Sequence, residues 1–165
     1  MTSERISIIF PSSSAEEGRL QQGIAKLGAL DVQIEPLHPA IEPYLAGCDA
    51  DRARTILEGV VSHEVRMLLA ARGGYGAARL PHEEIALALQ TSPTPIVGFS
   101  DVTLLLHLWH SCVAAAWHGP VVTQLGALDA VSHAQLQRYN MESIALMQSS
   151  LKQWSDELST PDQMV

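Results

Sequence analysis

The order of apolar runs and amphipathic stretches predicts an α/β chain: a doubly wound, mostly parallel sheet with helices on both faces. Apolar runs too short for helices recur at Ile6 to Phe10, Val65 to Ala71, Ile96 to Phe99 and Ala114 to Trp117. Segments with three- and four-residue apolar spacing separate them. Strands alternating with helices in this way require crossover connections, which are right-handed and make the sheet parallel.

The elements follow in chain order. Ile6 to Phe10 reads as a buried strand, and Ser14 is placed to cap a helix whose apolar side is Leu20, Ile24 and Leu27. Val32 and Ile34 alternate as the next strand, which completes a βαβ start. The stretch 36–47 carries Pro36, Pro39 and Pro43 and is too broken for regular structure, so it is expected on the surface. Asp49 then caps a helix that turns Ala53, Ile56, Leu57 and Val60 inward. Strand Val65 to Ala71, a helix from Pro81 to Leu89 and strand Ile96 to Phe99 come next. A nearly all-apolar helix from Val102 to Val113 and strand Ala114 to Trp117 complete the sheet, a flavodoxin- or Rossmann-like arrangement. From Ser132 onward Leu136, Ile144, Met147, Leu151, Trp154 and Leu158 recur at helical steps, which predicts a long C-terminal amphipathic helix. Residues 1–158 are thus expected as one domain, with 159–165 a frayed tail or the start of an interdomain linker.

Composition narrows the function. A chain of 165 residues with 47% hydrophobic content buries a core of its own. The net charge of −8 argues against nucleic acid or an anionic membrane surface as partner. No stretch approaches the roughly 20 apolar residues of a membrane span, and the start, Met1 to Arg5, lacks the basic segment of a secretory leader. The expected location is the cytoplasm, where Cys48 and Cys112 are free thiols. No internal repeat or low-complexity tract is visible.

Two segments carry chemistry. Pro95 to Thr103 runs from a short strand through Gly98-Phe99-Ser100 into a helix that begins at Asp101. This is the layout of a nucleophile elbow: a serine held exposed on a tight strand-to-helix bend, beside backbone N–H groups that receive an oxyanion. The usual glycine two residues after the serine is replaced by Val102, and the plain alternative is that Ser100 only caps the helix. The second segment, Arg72-Gly73-Gly74-Tyr75-Gly76-Ala77-Ala78-Arg79-Leu80, follows another apolar strand and opens toward a helix. Its glycines let N–H groups face an anion, with Gly76 easing the start of the helix. Its spacing is not that of a dinucleotide fingerprint and suits an oxyanion or carboxylate better than a pyrophosphate. Ser12, Gly74, Ser100 and His118 each fall just past the carboxyl end of a predicted strand and should converge on one crevice. His107 and His110 lie three apart on the helix after Ser100, but without a third ligand nearby no metal site is expected.

With these segments in hand, the chain resembles the LD-carboxypeptidase family, serine peptidases that trim murein tetrapeptides and include the microcin C self-immunity peptidases. The resemblance rests on Ile8 to Ser13, Tyr44 to Asp49 with Arg52, Arg72 to Leu80, Gly98 to Asp101, and His118-Gly119-Pro120. It implies Ser100 as the nucleophile and an oxyanion hole made by the N–H of Asp101 and of Gly74. It implies Ser12, Gly73, Tyr75 and His118 as substrate-binding residues, and neither a cofactor nor a metal. The family completes its triad with a glutamate and a histidine from a C-terminal domain beyond the elbow, whereas this chain stops at Val165. The 165-residue chain alone is therefore expected to be inactive, with its apolar surface covered by that domain or by a second copy. His118 is the best local candidate for a base, ahead of His107 and His110, but is more in keeping with a residue shaping the pocket floor. The implied substrate is a small peptide, a murein tetrapeptide losing D-alanine during peptidoglycan recycling, or an aminoacyl-nucleotide as in the immunity peptidases. The alternative of a different class is a non-catalytic module that binds a peptide or anion at the glycine-rich crevice.

Overall fold

The computed structural model describes residues 5–27, 31–34 and 44–128. The chain divides into two units, Met1–Ala127 and Leu128–Val165, and every element below lies in the first. The amphipathic helix expected from Ser132, the tail 159–165 and most of the proline-rich stretch lie outside the described residues.

The elements are β1 (Arg5–Ile9), α1 (Glu17–Leu27), β2 (Asp31–Ile34), α2 (Asp49–Val61), β3 (Val65–Ala70), α3 (His82–Thr91), β4 (Ile96–Gly98), α4 (Thr103–Ser111), β5 (Ala116–His118) and α5 (Val122–Leu125). Short 3₁₀ turns at Ala77–Arg79 and Ser100–Val102 precede α3 and α4. The strands form one parallel five-stranded sheet in the order β2-β1-β3-β4-β5. The chain goes outward from β1 to β2, returns across β1 to β3, and continues outward on the other side. With right-handed crossovers, that reversal puts α1 on one face of the sheet and α2, α3 and α4 on the other. α1 packs closely on α5: a Cβ at Gly23 would lie 2.0 Å from the Val122 carbonyl oxygen. In open α/β sheets ligands bind at the carboxyl ends of the strands where the order reverses, here between β1 and β3.

The strands are buried because the runs that form them are covered on both sides. Ile9, Leu68, Ala70 and Ile96 are buried in one cluster with Ile56 and Val60 from α2, Ile85 from α3 and Leu105 from α4, and Ile8 is buried as well. α4 also buries Trp109, whose indole N–H donates to the Thr94 carbonyl at 2.8 Å. Thr94 Oγ1 in turn donates to the Val60 carbonyl at 3.0 Å, so the polar atoms of this corner are satisfied.

Several boundaries differ from the sequence reading. Ser14 does not cap α1; both carboxylate oxygens of Glu16 accept backbone N–H groups, from Gly18 at 2.8 Å and Arg19 at 3.1 Å. Cys48, not Asp49, is the residue before α2, and the Asp49 carboxylate turns instead to two arginines. α4 ends at Ser111, and β5 starts at Ala116 rather than Ala114. Val113 makes the turn with φ 58° while 71% exposed. A β-branched residue in the left-handed region costs on the order of 1–2 kcal/mol, so nothing in the local sequence marked a turn there. α5 was not foreseen, since four residues are too few for a periodicity.

Candidate functional site

The elbow is built as its sequence suggested. β4 ends at Gly98, Phe99 is extended, and Ser100 has φ 64°, a left-handed conformation in a residue that is not glycine. Backbone strain of this kind is maintained only where the surroundings over-determine it, and it clusters at functional sites. Ser100 is exposed, and among the described residues no group hydrogen-bonds its hydroxyl. Gly98 explains why the elbow tolerates Val102 where a glycine is usual: a Cβ at Gly98 would lie 2.3 Å from Val102 Cγ1. The missing side chain at position 98 makes the room, and Val102 is fully buried in it.

The glycine-rich loop lies against the elbow. A Cβ at Gly73 would fall 2.8 Å from Ser100 Cβ and 3.0 Å from the Phe99 carbonyl oxygen, so only glycine allows this approach. Gly74 has φ 114°, and a Cβ there would meet Ser13 Oγ at 2.3 Å. The Tyr75 N–H is committed to Ser13 Oγ at 3.1 Å, and Ser13 N–H donates to the Gly73 carbonyl at 3.3 Å. Gly76 does more than ease a helix start. Its φ is 129°, and a Cβ would lie 2.7 Å from a guanidinium nitrogen of Arg52. Gly74→Val is therefore expected to distort the loop and turn the residue-74 N–H away from its present direction; if that N–H is an oxyanion donor, turnover should fall by about a hundred- to a thousand-fold. Gly76→Ala should lower the melting temperature as well, whereas equal tolerance of both changes would reduce the loop to a plain turn.

Of the residues expected to line the crevice, Ser12 is fully buried, and its hydroxyl donates to Asp101 Oδ2 at 2.7 Å. It faces the protein rather than the opening. Tyr75 is 52% exposed and meets the half-exposed Tyr44 ring edge-on, with centroids 5.9 Å apart. His118 is the last residue of β5, in register with Gly98, and its exposed ring packs edge-on against Phe99 at 5.2 Å. The Phe99–His118 pair stands at the elbow, and the Tyr44–Tyr75 pair at the glycine loop. His107 and His110 are exposed on α4, and among the described residues no cluster of three metal-ligating side chains occurs. Cys48 and Cys112 are free thiols.

A buried arginine underlies the site, and its role escaped the sequence reading although its place in the motif did not. Arg52, fully buried on α2, donates to the Pro11 carbonyl after β1, to the Gly76 carbonyl at 3.1 Å and to Asp49 Oδ1. Asp49 also receives Arg79 Nε at 3.0 Å. Burial alone would raise the Asp49 pKa, but hydrogen bonds from Arg52 and Arg79, with their charges, hold it below its ordinary value. A lowered folded-state pKa means that ionised Asp49 favours the fold above the ordinary carboxylate range. That contribution is lost as pH falls through the lowered value. The difference in melting temperature between wild type and Asp49→Asn should accordingly be positive at neutral pH and close in acid; a difference independent of pH would refute the ion-pair account.

Residues 6–119 match the family described as the LD-carboxypeptidase N-terminal domain. The chain belongs to this family. It is 30% identical over 144 residues to the murein tetrapeptide carboxypeptidase of Pseudomonas aeruginosa, covering 86% of this chain and 47% of that protein. Its fold is similar to that of a muramoyltetrapeptide carboxypeptidase from Oxalobacter formigenes, with TM-score 0.71 and 28% identity over 81% of this chain and 46% of that one. The microcin C7 self-immunity protein shares the fold at TM-score 0.68 and 19% identity, over 83% of this chain and 43% of that one. The chain spans about half the length of these relatives. Among the described residues no helix is long and apolar enough to cross a membrane.

Proposed function

We propose that this chain forms the nucleophile-bearing part of a cytoplasmic serine LD-carboxypeptidase that releases D-alanine from murein tetrapeptides in peptidoglycan recycling. The observation that carries the reading is Ser100, exposed at φ 64° on the strand-to-helix bend with Gly73 packed against it. Family membership supports the reaction class, and the murein peptide named for the Pseudomonas relative supports the substrate.

In this reading Ser100 Oγ attacks the carbonyl carbon of the terminal L,D-peptide bond. Its proton passes to a general base, which the family supplies together with an orienting carboxylate from its C-terminal domain. Negative charge develops on the carbonyl oxygen, where the N–H groups of Asp101 and Gly74 receive it. The first N–H groups of a helix have no partner within it, and Asp101 stands in the first turn of the 3₁₀ segment. The C–N bond then breaks, the amine takes the proton and leaves as D-alanine, and water releases the acyl group from Ser100. The exposed Tyr75 and His118 rings are the side chains this reading assigns to peptide contact.

The test is D-alanine release from a purified murein tetrapeptide by the gene product, with an aminoacyl sulfamoyl adenosine as competing substrate. Release of D-alanine supports the proposal. Hydrolysis of the nucleotide conjugate alone would move the substrate to the immunity class. Tight peptide binding without turnover, even with the family's C-terminal domain added in trans, would favour a non-catalytic peptide-binding module.

A further inference from the structure

We propose that the side chain of Asp101, apart from its backbone N–H, is a positioning residue. One carboxylate oxygen ties three strand-end loops together and so sets the distance between the two oxyanion donors. The proposal rests on the catalytic reading of Ser100.

Asp101 Oδ2 accepts the Ser12 hydroxyl at 2.7 Å and the Ala77 N–H at 2.9 Å. Ser12 belongs to the loop after β1, Ala77 closes the glycine loop after β3, and Asp101 itself follows the nucleophile after β4. Both partners are fully buried, and the carbonyl of Ala77 is held separately by His82 Nε2 at 2.9 Å. The joint is therefore fixed from both sides.

Hydrogen bonds to an ionised acceptor are short and roughly twice as strong as neutral ones, and the loops they join carry different parts of the hole. Gly74 lies three residues before Ala77, whereas the other donor is the N–H of Asp101 itself. If the carboxylate released Ala77, the glycine loop could move relative to the elbow with both elements intact. A shift of about 1 Å at such a site can cost on the order of a hundred-fold in rate.

That both bonds end on the same oxygen makes the idea testable. Asparagine offers one carbonyl oxygen in the same place, so Asp101→Asn keeps the geometry and loses only the charge, whereas Asp101→Ala loses both bonds. On the 165-residue chain, amide hydrogen exchange at Ala77 should quicken by about tenfold or more in Asp101→Ala. It should change less in Asp101→Asn and in Ser12→Ala, and the sheet amide of Leu68 should stay protected in all of them. In D-alanine release, measured with the family's C-terminal domain present, kcat should fall about a hundred-fold in Asp101→Ala with KM within a few-fold. Asp101→Asn should recover most of the loss, and Ser12→Ala should lie between. A purely structural role would lower melting temperatures without restoring kcat in the asparagine variant.

Unchanged Ala77 exchange, or wild-type kcat in Asp101→Ala, overturns the proposal. If Asp101→Ala does not fold, a Ser12→Ala variant equal to wild type in both measurements overturns it as well. Absence of D-alanine release from the wild type even with the family's C-terminal domain present, or its survival in Ser100→Ala, falls on the carboxypeptidase reading instead. The exchange measurement then decides the tie by itself.

Discussion

With the family's C-terminal domain present to supply the base, replacing Ser100 with alanine is expected to abolish D-alanine release while leaving the fold as it is. In a well-studied triad protease, loss of the nucleophile costs about a million-fold in turnover, which places the variant at background. Stability should change by no more than about 0.5 kcal/mol, the usual range for a surface position without special contacts. Ser100 is exposed, and among the described residues its hydroxyl has no hydrogen-bond partner. The strain at φ 64° belongs to the backbone and is the same for alanine. The measurement is a D-alanine assay on both proteins beside a thermal melt. Residual turnover near the wild-type rate would remove Ser100 from the chemistry, and a collapsed melt would mean that the hydroxyl holds the elbow.

The sequence and the structure agree most closely where the signal is local. A run such as Val65 to Ala71 is buried on both sides and reads as a strand from composition alone, and β3 occupies Val65–Ala70. The elbow and the glycine loop were legible for the same reason, because each is defined by residues within a few positions of one another. What was hidden depends on partners distant in sequence. Ser12 is polar and follows a strand, which suggested a substrate contact, but its partner Asp101 is 89 positions away and turns it inward. His118 falls at the end of β5 as expected, but its neighbour is the ring of Phe99, the residue after the adjacent strand β4. No periodicity or motif spacing carries such pairings.

The same reason hid Arg52, whose removal should have the largest effect on stability. Arg52→Ala is expected to destabilise the chain by about 3–5 kcal/mol, from the combined loss of charge-assisted hydrogen bonds and of a large, fully buried side chain. The guanidinium is fully buried and serves the Pro11 carbonyl, the Gly76 carbonyl and the Asp49 carboxylate. Deleting it removes a donor from each of these acceptors, leaving the Gly76 carbonyl with the Arg79 N–H and Asp49 with Arg79 Nε, and opens a cavity beneath the glycine loop, where a Cβ at Gly76 would already lie 2.7 Å from the guanidinium. Lysine should not rescue the change, because a single ammonium cannot reproduce a planar fork directed at separate acceptors. Arg79 provides the internal comparison. It binds the same Asp49 at 3.0 Å, but both side chains are more than a third exposed, 35% and 37%, and such pairs contribute about 0–1 kcal/mol. Urea unfolding of wild type, Arg52→Ala, Arg52→Lys and Arg79→Ala should therefore give two large losses and one small one. Against a typical domain stability of about 5–15 kcal/mol, the Arg52→Ala loss would expose the loop that carries Gly74 to frequent opening. Equal, small losses at Arg52 and Arg79 would show that the burial of Arg52 adds nothing, and that the strand-end loops are held by the Asp101 tie and the packing of Gly73 on Ser100.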